Sequence, residues 1–371
     1  MAEKQRIQCV DIVKGLAILV VVVTHLVSSQ AASDFITRFF GGLMGVFFML
    51  SSYFYKPGKG YLNNVRKRFF QIIIPFLVYN LVVVVLCWIY ESIKCPEYGF
   101  LSYLQAYWKR IIDSGSLSVI QSAGGPPRGV RAGSIATMAI VPSWFLNRMF
   151  FSELIFFAVA DWALKDVRRI AASIFALLTV TVLYYQFVPV HAPLMLDNCF
   201  AIAAIMLFGA YMRQIDLATF IEQRKWDRKK IIVTAVFAAL YIAAGFFLTD
   251  FFGKGLIMGQ FGTAGSLSVY IWFLCQVIFF YTMLFLGTLI AHVPFLSAPL
   301  KLIGRHTLMI LLFHMFFGSV VKTVLAFAFG YESAPVWVSI AGVVLSVLFS
   351  LCLSLLRDRA KTCLAARKEA K

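Results

Sequence analysis

Runs of mostly apolar residues, separated by shorter polar intervals, make up most of the 371-residue chain. A helix that crosses a bilayer needs about 20 consecutive, mostly apolar residues, and ten of the runs come close to that length. The pattern therefore predicts an all-α polytopic integral membrane protein with about ten transmembrane helices. The ten runs lie near 12–29, 36–55, 70–90, 144–164, 170–188, 195–212, 231–249, 268–290, 302–328 and 336–356.

The composition supports this class of protein and excludes others. Hydrophobic residues make up 61% of the chain and charged residues only 14%, against about 25% charged residues in typical soluble domains. A single soluble core does not hide so much apolar surface, and a disordered chain is excluded by the same numbers. The seven cysteines form no C-x-x-C pair and no zinc-type spacing, so we expect no metal site and no disulfide scaffold.

Positive charge is concentrated in alternate intervals between the runs. The chain has 34 Lys and Arg against 17 Asp and Glu, a formal net charge of +17. Cytoplasmic loops of membrane proteins carry an excess of Lys and Arg. The distribution therefore predicts that both termini are cytoplasmic, and it makes a nucleic-acid partner unnecessary. The basic intervals are 56–68, 165–169, 213–230 and the C-terminal tail, whereas 30–35, 189–194 and 329–335 contain no Lys or Arg.

One domain with a long loop is the organisation that we predict. The transmembrane domain covers 1–357 and includes a non-cytoplasmic loop at 91–142, and a basic cytoplasmic tail follows at 358–371. Apolar residues at helical spacing over 100–113 predict an amphipathic helix that lies on the membrane or on the outer face. A loop of this length is more often functional than not; the alternative is a variable insertion without a role.

The first run has some features of a signal peptide, because Lys14 precedes an apolar stretch that ends in small residues near 28–31. Asp11 before that stretch and His25 inside it favour a retained span, since the centre of a signal peptide is apolar throughout. We therefore expect the first run to remain in the protein as its first membrane span.

Ionisable residues inside the runs are costly in a bilayer, and each is a candidate functional residue. Lys14 and His25 are eleven positions apart, which is about 16 Å along a helix, and they lie on nearly the same face. Two groups result, one at the predicted cytoplasmic end and one in the outer half. The first consists of Asp11, Lys14, Arg66 and Arg68, and the second consists of His25, Arg148, Glu153 and His314.

The two groups favour different chemistry. A basic cytoplasmic end suits a ligand that carries phosphate, and a histidine with ionisable neighbours suits proton transfer. Structural explanations exist for the same residues. Lys14 can extend to the membrane surface, His25 can be a hydrogen-bonded core histidine, and Arg148 and Glu153 can join helices to one another.

The first run also carries the motif that makes the chain recognisable. Asp11-Ile-Val-Lys14-Gly15, followed by His25, resembles the opening of the acyltransferase family 3 membrane proteins, which have a basic residue, ten further residues and then a histidine. Many members have Arg at the position of Lys14, and the Lys variant resembles the sugar O-acetyltransferase branch. Further segments match in the same order over nearly the whole chain, namely Phe47–Phe54, Arg66–Arg68 with Ile74–Phe76, Pro142–Leu146, and Leu302–Leu308 with His314.

The chain departs from the family pattern at two places. Ser52 stands where the second span of the family usually has glycine, and Asn147-Arg148 follows the Trp-Phe-Leu motif where apolar residues or proline are expected.

The resemblance implies an integral-membrane O-acyltransferase, expected to be an O-acetyltransferase, that modifies a carbohydrate. The implied donor is cytoplasmic acetyl-CoA or another acyl-CoA, and no further cofactor is expected. The implied acceptor is a hydroxyl of a cell-surface or lipid-linked carbohydrate, and the expected location is the bacterial cytoplasmic membrane.

Each candidate residue receives a role in this hypothesis. His25 is either a general base for the attacking hydroxyl or a covalent acceptor of the acyl group, and both routes stay open. Arg148 or His314 stabilises the developing oxyanion, and Glu153 orients a histidine or binds sugar hydroxyls. The expected donor-binding residues are Asp11, Lys14, Arg66 and Arg68, and the expected acceptor-binding residues are Trp144 and Asn147.

Two other classes of protein share these features. A secondary transporter or flippase of a small solute or a lipid-linked sugar would also have about ten spans with ionisable residues near the midplane. Transporters often show paired broken helices, and the sequence has no convincing internal repeat. A catalytically silent module of the same fold is the second alternative. The partners that we expect are the lipid bilayer, acyl-CoA and a carbohydrate acceptor.

Overall fold

The computed structural model confirms the all-α prediction, because helix is the only regular structure in the residues that it describes and strands are absent from them. Long helices alternate with shorter ones along the chain. The described residues are 7–27, 30–40, 42–94, 99–101, 104–105, 143–188, 192–218, 221, 228–252, 267–331 and 335–369.

The α-helices within these residues are α1 (Gln8–Leu26), α2 (Gln30–Phe40), α3 (Leu43–Tyr53), α4 (Tyr61–Arg68), α5 (Ile74–Lys94), α6 (Ser143–Ala163), α7 (Val167–Phe187), α8 (Cys199–Gln214), α9 (Arg228–Phe252), α10 (Leu267–Ala291), α11 (Pro294–Arg305), α12 (Thr307–Ala328) and α13 (Val336–Glu369). A π-helical turn at Phe69–Ile73 joins α4 to α5, and a 3-10 turn at Pro193–Asn198 leads into α8.

Nine helical segments of the described chain are long and apolar enough to cross a membrane, which confirms a polytopic membrane protein. The predicted fourth span corresponds to α6, which is not among those nine. Its 21 residues rise about 31 Å, and they include Arg148, Glu153 and Asp161 among apolar side chains. α6 packs against α7 and α8 as well as α4, so it belongs to the same bundle as the nine candidate spans.

Two predicted spans differ in detail from the helices. The run 36–55 is divided between α2 and α3. The run 302–328 begins inside α11, and the spanning helix α12 starts only at Thr307. The break falls at His306, whose backbone leaves the helical conformation (φ −113°, ψ 18°). The twelve residues of α11 are too few to cross a bilayer, and the charged Arg305 at its end faces the surface.

The structure describes only part of the chain over which the domain and its long loop are predicted. α13 runs from Val336 to Glu369 without interruption, so the predicted boundary between 357 and 358 falls inside one helix. The basic tail therefore extends the last span as far as the structure describes it. Most of the predicted loop 91–142, including nearly all of its predicted amphipathic helix 100–113, lies outside the described residues.

The helix ends that the charge distribution assigns to the cytoplasm lie together at one end of the bundle. The Nζ atom of Lys14 lies 5.9 Å from the centre of the Phe54 ring. Asp161, near the end of α6, accepts a hydrogen bond from Tyr55 OH at 2.7 Å. His306 Nδ1 lies 2.8 Å from Ser354 Oγ of α13. The two described ends of the chain are therefore on the same side, as an even number of crossings requires.

α1 is a central helix whose main neighbours come from the other end of the chain, since it packs chiefly against α10, α11 and α12, with further contacts to α13. Two glycines allow a close approach to α11. A Cβ atom at Gly15 would overlap the carbonyl oxygen of Leu300, and one at Gly304 would overlap that of Asp11. The backbones of α1 and α11 are therefore in direct contact where the two helices cross. This contact fixes Arg305 beside the first turns of α1.

Candidate active site

Three charged side chains meet where α1 begins, and we call Asp11, Lys14 and Arg305 the cationic mouth. One oxygen of the Asp11 carboxylate lies 3.7 Å from Lys14 Nζ, and the other lies 3.6 Å from Arg305 Nε. The side chains of Lys14 and Arg305 are 27% and 47% exposed, whereas that of Asp11 is 13% exposed. Two cations therefore face the surface on either side of the Asp11 carboxylate and can receive an anionic ligand.

A pair of histidines lies farther along α1, inside the bundle. The ring centroids of His25 on α1 and His314 on α12 are 5.5 Å apart, with 35° between the ring planes. His314 is fully buried, and His25 is partly exposed. His25 is therefore the more exposed residue of the pair.

The hydrogen bonds of His314 determine which of its ring nitrogens carries the proton. Its Nδ1 atom lies 3.0 Å from the carbonyl oxygen of Ile310 and 2.9 Å from that of Leu311. Carbonyl oxygens only accept, so the neutral ring is protonated at Nδ1 and has a lone pair at Nε2. Among the described residues Nε2 has no hydrogen-bond partner. This tautomer favours a proton acceptor over the oxyanion donor that the sequence suggests.

Glu153 forms an ion pair with a basic residue of a neighbouring helix. Its Oε1 atom lies 2.9 Å from Arg68 Nη2, and its side chain is 1% exposed. The same nitrogen of Arg68 donates to the carbonyl oxygen of Ser51 at 2.8 Å. Arg68 thus joins α3, α4 and α6, and its guanidinium is occupied by protein groups. The geometry favours the structural explanation for both residues over their roles in donor binding and catalysis.

Arg148 belongs to a different buried cluster, between α6 and the start of α8. Its charge interacts with Asp197 and Tyr185, and Tyr185 OH donates to Asp197 Oδ2 and to Asn198 Oδ1. Arg148, Asp197 and Asn198 are all at most 4% exposed. A guanidinium with a buried carboxylate beside it is suited to binding polar groups or to joining helices.

The other predicted site residues lie apart from these clusters. Arg66 is exposed on α4, and Asn147 is buried on α6 next to Arg148. Trp144 lies in the first turn of α6, but its side chain is outside the described part of the chain. In the residues that the structure describes, no three His, Cys, Asp or Glu side chains are arranged to hold a metal ion.

The structure adds two residues that the sequence did not single out. Arg305 completes the cationic mouth. The sequence feature that could have identified it is its position nine residues before His314, which resembles the position of Lys14 before His25. Asp197 supplies the buried charge beside Arg148. Asp197 lies near the outer end of the run 195–212, and the packing of α6 against the 3-10 turn before α8 reveals its partner.

Comparison with known proteins gives one match. A family model described as an acyltransferase domain, that of acyltransferase family 3, matches residues 7–355 and so covers nearly all of the chain. No curated protein matches the chain, and no solved structure does.

Proposed function

Because the chain belongs to acyltransferase family 3 and is a multi-pass membrane acyltransferase, we propose that it is an O-acetyltransferase that uses cytoplasmic acetyl-CoA. The proposed acceptor is a hydroxyl of a cell-surface or lipid-linked carbohydrate, and the proposed location is the bacterial cytoplasmic membrane. The observation that carries the proposal is the pairing of His314 of α12 with His25, because His25 lies on α1, the helix that begins at the cationic mouth.

The cationic mouth is suited to the phosphates of acyl-CoA. Lys14 and Arg305 come from two helices that touch through their backbones at Gly15 and Gly304, so their spacing is fixed before a ligand arrives. Phosphate oxygens are stronger partners for a guanidinium than a single carboxylate at 3.6 Å. Lys14 and His25 are eleven positions apart on α1, a rise of about 16 Å, which an extended thioester arm can follow.

The histidine pair is suited to the transfer step. The acceptor hydroxyl oxygen attacks the carbonyl carbon of the thioester while its proton moves to an imidazole nitrogen. The carbon–sulfur bond then breaks, and the thiolate of CoA leaves and receives that proton. His25 is the proposed proton acceptor, and the His314 ring, whose Nε2 atom has no hydrogen-bond partner among the described residues, lies 5.5 Å from it.

A covalent route through His25 is the alternative mechanism. The imidazole would then accept the acetyl group with loss of the CoA thiolate and pass it to the hydroxyl in a second step. Rapid quenching with labelled acetyl-CoA distinguishes the two routes, because only the covalent route gives a peptide that contains acetylated His25.

Replacing Lys14 or Arg305 with alanine is expected to raise the apparent KM for acetyl-CoA about tenfold, because each variant loses one charge-assisted contact to phosphate. The kcat at saturating donor and the KM for the acceptor should change little. Lys56→Ala is the matched control, since Lys56 is an exposed cation in a basic interval at the same end of the bundle. An effect on acceptor KM alone would contradict the assignment of this end to the donor.

The reaction itself is tested by mass spectrometry of cell-surface glycans from cells with and without the intact gene. We expect an ester-bound acetyl group that disappears on deletion and returns on complementation. Purified protein in liposomes with acetyl-CoA provides the second readout. Solute flux across those liposomes without an acyl donor, together with unchanged glycans, would favour a transporter.

A further inference from the structure

One face of α12 is directed at the last turn of α1. His314, Gly318 and Lys322 are spaced four residues apart on α12, so they lie above one another along one side of the helix. All three contact the C-terminal end of α1, which carries His25 and Leu26.

Each of the three residues makes a different kind of contact. The His314 ring lies beside the His25 ring. Gly318 makes room for the Leu26 side chain, which a Cβ atom at this position would overlap. Lys322 Nζ donates a hydrogen bond to the carbonyl oxygen of Leu26 at 2.9 Å. The same face thus fixes the side chains and the backbone of the turn that holds His25.

The contact of Lys322 combines two favourable effects. The last carbonyl groups of a helix have no partner within the helix, and a cation at a helix C-terminus interacts favourably with the helix dipole. A lysine near the end of a membrane span commonly extends to the lipid interface. Lys322 is instead half-buried, and its ammonium group reaches a backbone oxygen one residue beyond His25.

We propose that Lys322 is a positioning residue for the transfer reaction. By holding the carbonyl of Leu26, it fixes the last turn of α1 against α12 and keeps the His25 ring beside His314. Lys322 is separated from the cationic mouth by most of the length of α1, so it does not act on donor binding. This inference rests on the proposed acetyltransferase function.

Lys322→Met keeps most of the side-chain stem and removes the donor and the charge. We expect it to lower kcat by roughly 10- to 100-fold, the range for a small misplacement of a catalytic group, with the KM for acetyl-CoA unchanged. Lys322→Arg keeps a cationic donor and should restore most of the activity. Lys361→Met, on the exposed part of α13, is the matched control and should behave like the unaltered protein.

A second readout does not depend on activity. Diethyl pyrocarbonate modifies accessible histidines, and peptide mass spectrometry gives the modification of His25 relative to His306. His306 lies at the N-terminal end of α12, away from Lys322. We expect this ratio to change severalfold in Lys322→Met and to return to its original value in Lys322→Arg. If Lys322→Met does not fold, Lys322→Leu, which likewise removes the donor and the charge, replaces it in both measurements.

The two readouts separate this inference from the proposed function. An unchanged kcat with an unchanged modification ratio in Lys322→Met overturns the positioning role while the enzyme assignment stands. An equal loss of kcat in Lys322→Met and Lys322→Arg, with the ratio unchanged, overturns it as well. If the unaltered protein transfers no acetyl group, the proposed function fails, and the modification ratio still reports whether Lys322 fixes the turn of His25.

Discussion

His25→Ala is expected to reduce acetyl transfer by roughly 10²–10⁴-fold, the contribution of a general acid–base group, while the protein remains folded in the membrane. His25 is the more exposed member of the histidine pair, and its ring lies 5.5 Å from that of His314. Without it, the hydroxyl lacks a proton acceptor on the side that the reactants reach, or the acetyl group lacks its covalent carrier. Transfer from labelled acetyl-CoA to the acceptor measures the effect.

The control for this variant is His292→Ala, which removes a histidine at the end of α10, outside the pair. His292→Ala should retain its activity, and both variants should elute as the same species in detergent. Retained transfer in His25→Ala would contradict the central role that both mechanisms give to His25. His314→Gln extends the test, because glutamine keeps hydrogen bonding without a basic ring nitrogen.

Glu153→Gln is expected to lower the free energy of unfolding by about 3 kcal/mol, since breaking a buried ion pair leaves one charge without compensation. Glu153 is almost fully buried, and its carboxylate lies 2.9 Å from Arg68 Nη2. Arg68 is 28% exposed, so the loss should be at the lower end of the range for buried pairs. Denaturant titration of the detergent-solubilised proteins measures the difference in the free energy of unfolding.

Asp216→Asn is the matched control for this prediction. Asp216 pairs with Arg213 at the surface, where the two side chains are 51% and 39% exposed, and surface pairs contribute at most about 1 kcal/mol. Asparagine also tolerates the positive φ of 53° at this position. The double variant Arg68→Met with Glu153→Met should recover part of the stability. Equal losses in Glu153→Gln and Asp216→Asn would contradict the structural role of the buried pair.

The class of fold could be predicted from the sequence because it depends on local properties. The length and apolar content of a run decide whether it can cross a bilayer, and these are visible at every position. The second span shows the limit of this reasoning, since the run 36–55 is continuous in composition but is divided between α2 and α3. The ninth run, 302–328, is also continuous in composition, but it begins inside α11, and the chain leaves the helical conformation at His306 before α12 starts.

The partners of the charged residues could be predicted only in part. The helical period placed Lys14 and His25 on one face of the first span, and the structure confirms that both lie on α1. The period does not give the rotation of one helix relative to another, so neither the pairing of Glu153 with Arg68 nor that of Arg305 with Asp11 was visible. The level of His314 in its span did suggest that it lies near His25, but the contact itself comes from the packing of α12 on α1.

The packing of α1 against α10–α13 has a consequence for biosynthesis. Helices enter the membrane in the order in which they are translated, so Lys14 and His25 are inserted first and their partners Arg305 and His314 among the last. The candidate site therefore joins residues that are far apart in the sequence, so its contact order is very high and the site assembles late. A polypeptide released by the ribosome before α11 and α12 would lack both the cationic mouth and the histidine pair. Under the proposed function, such incomplete chains would not consume the acyl donor while they await degradation.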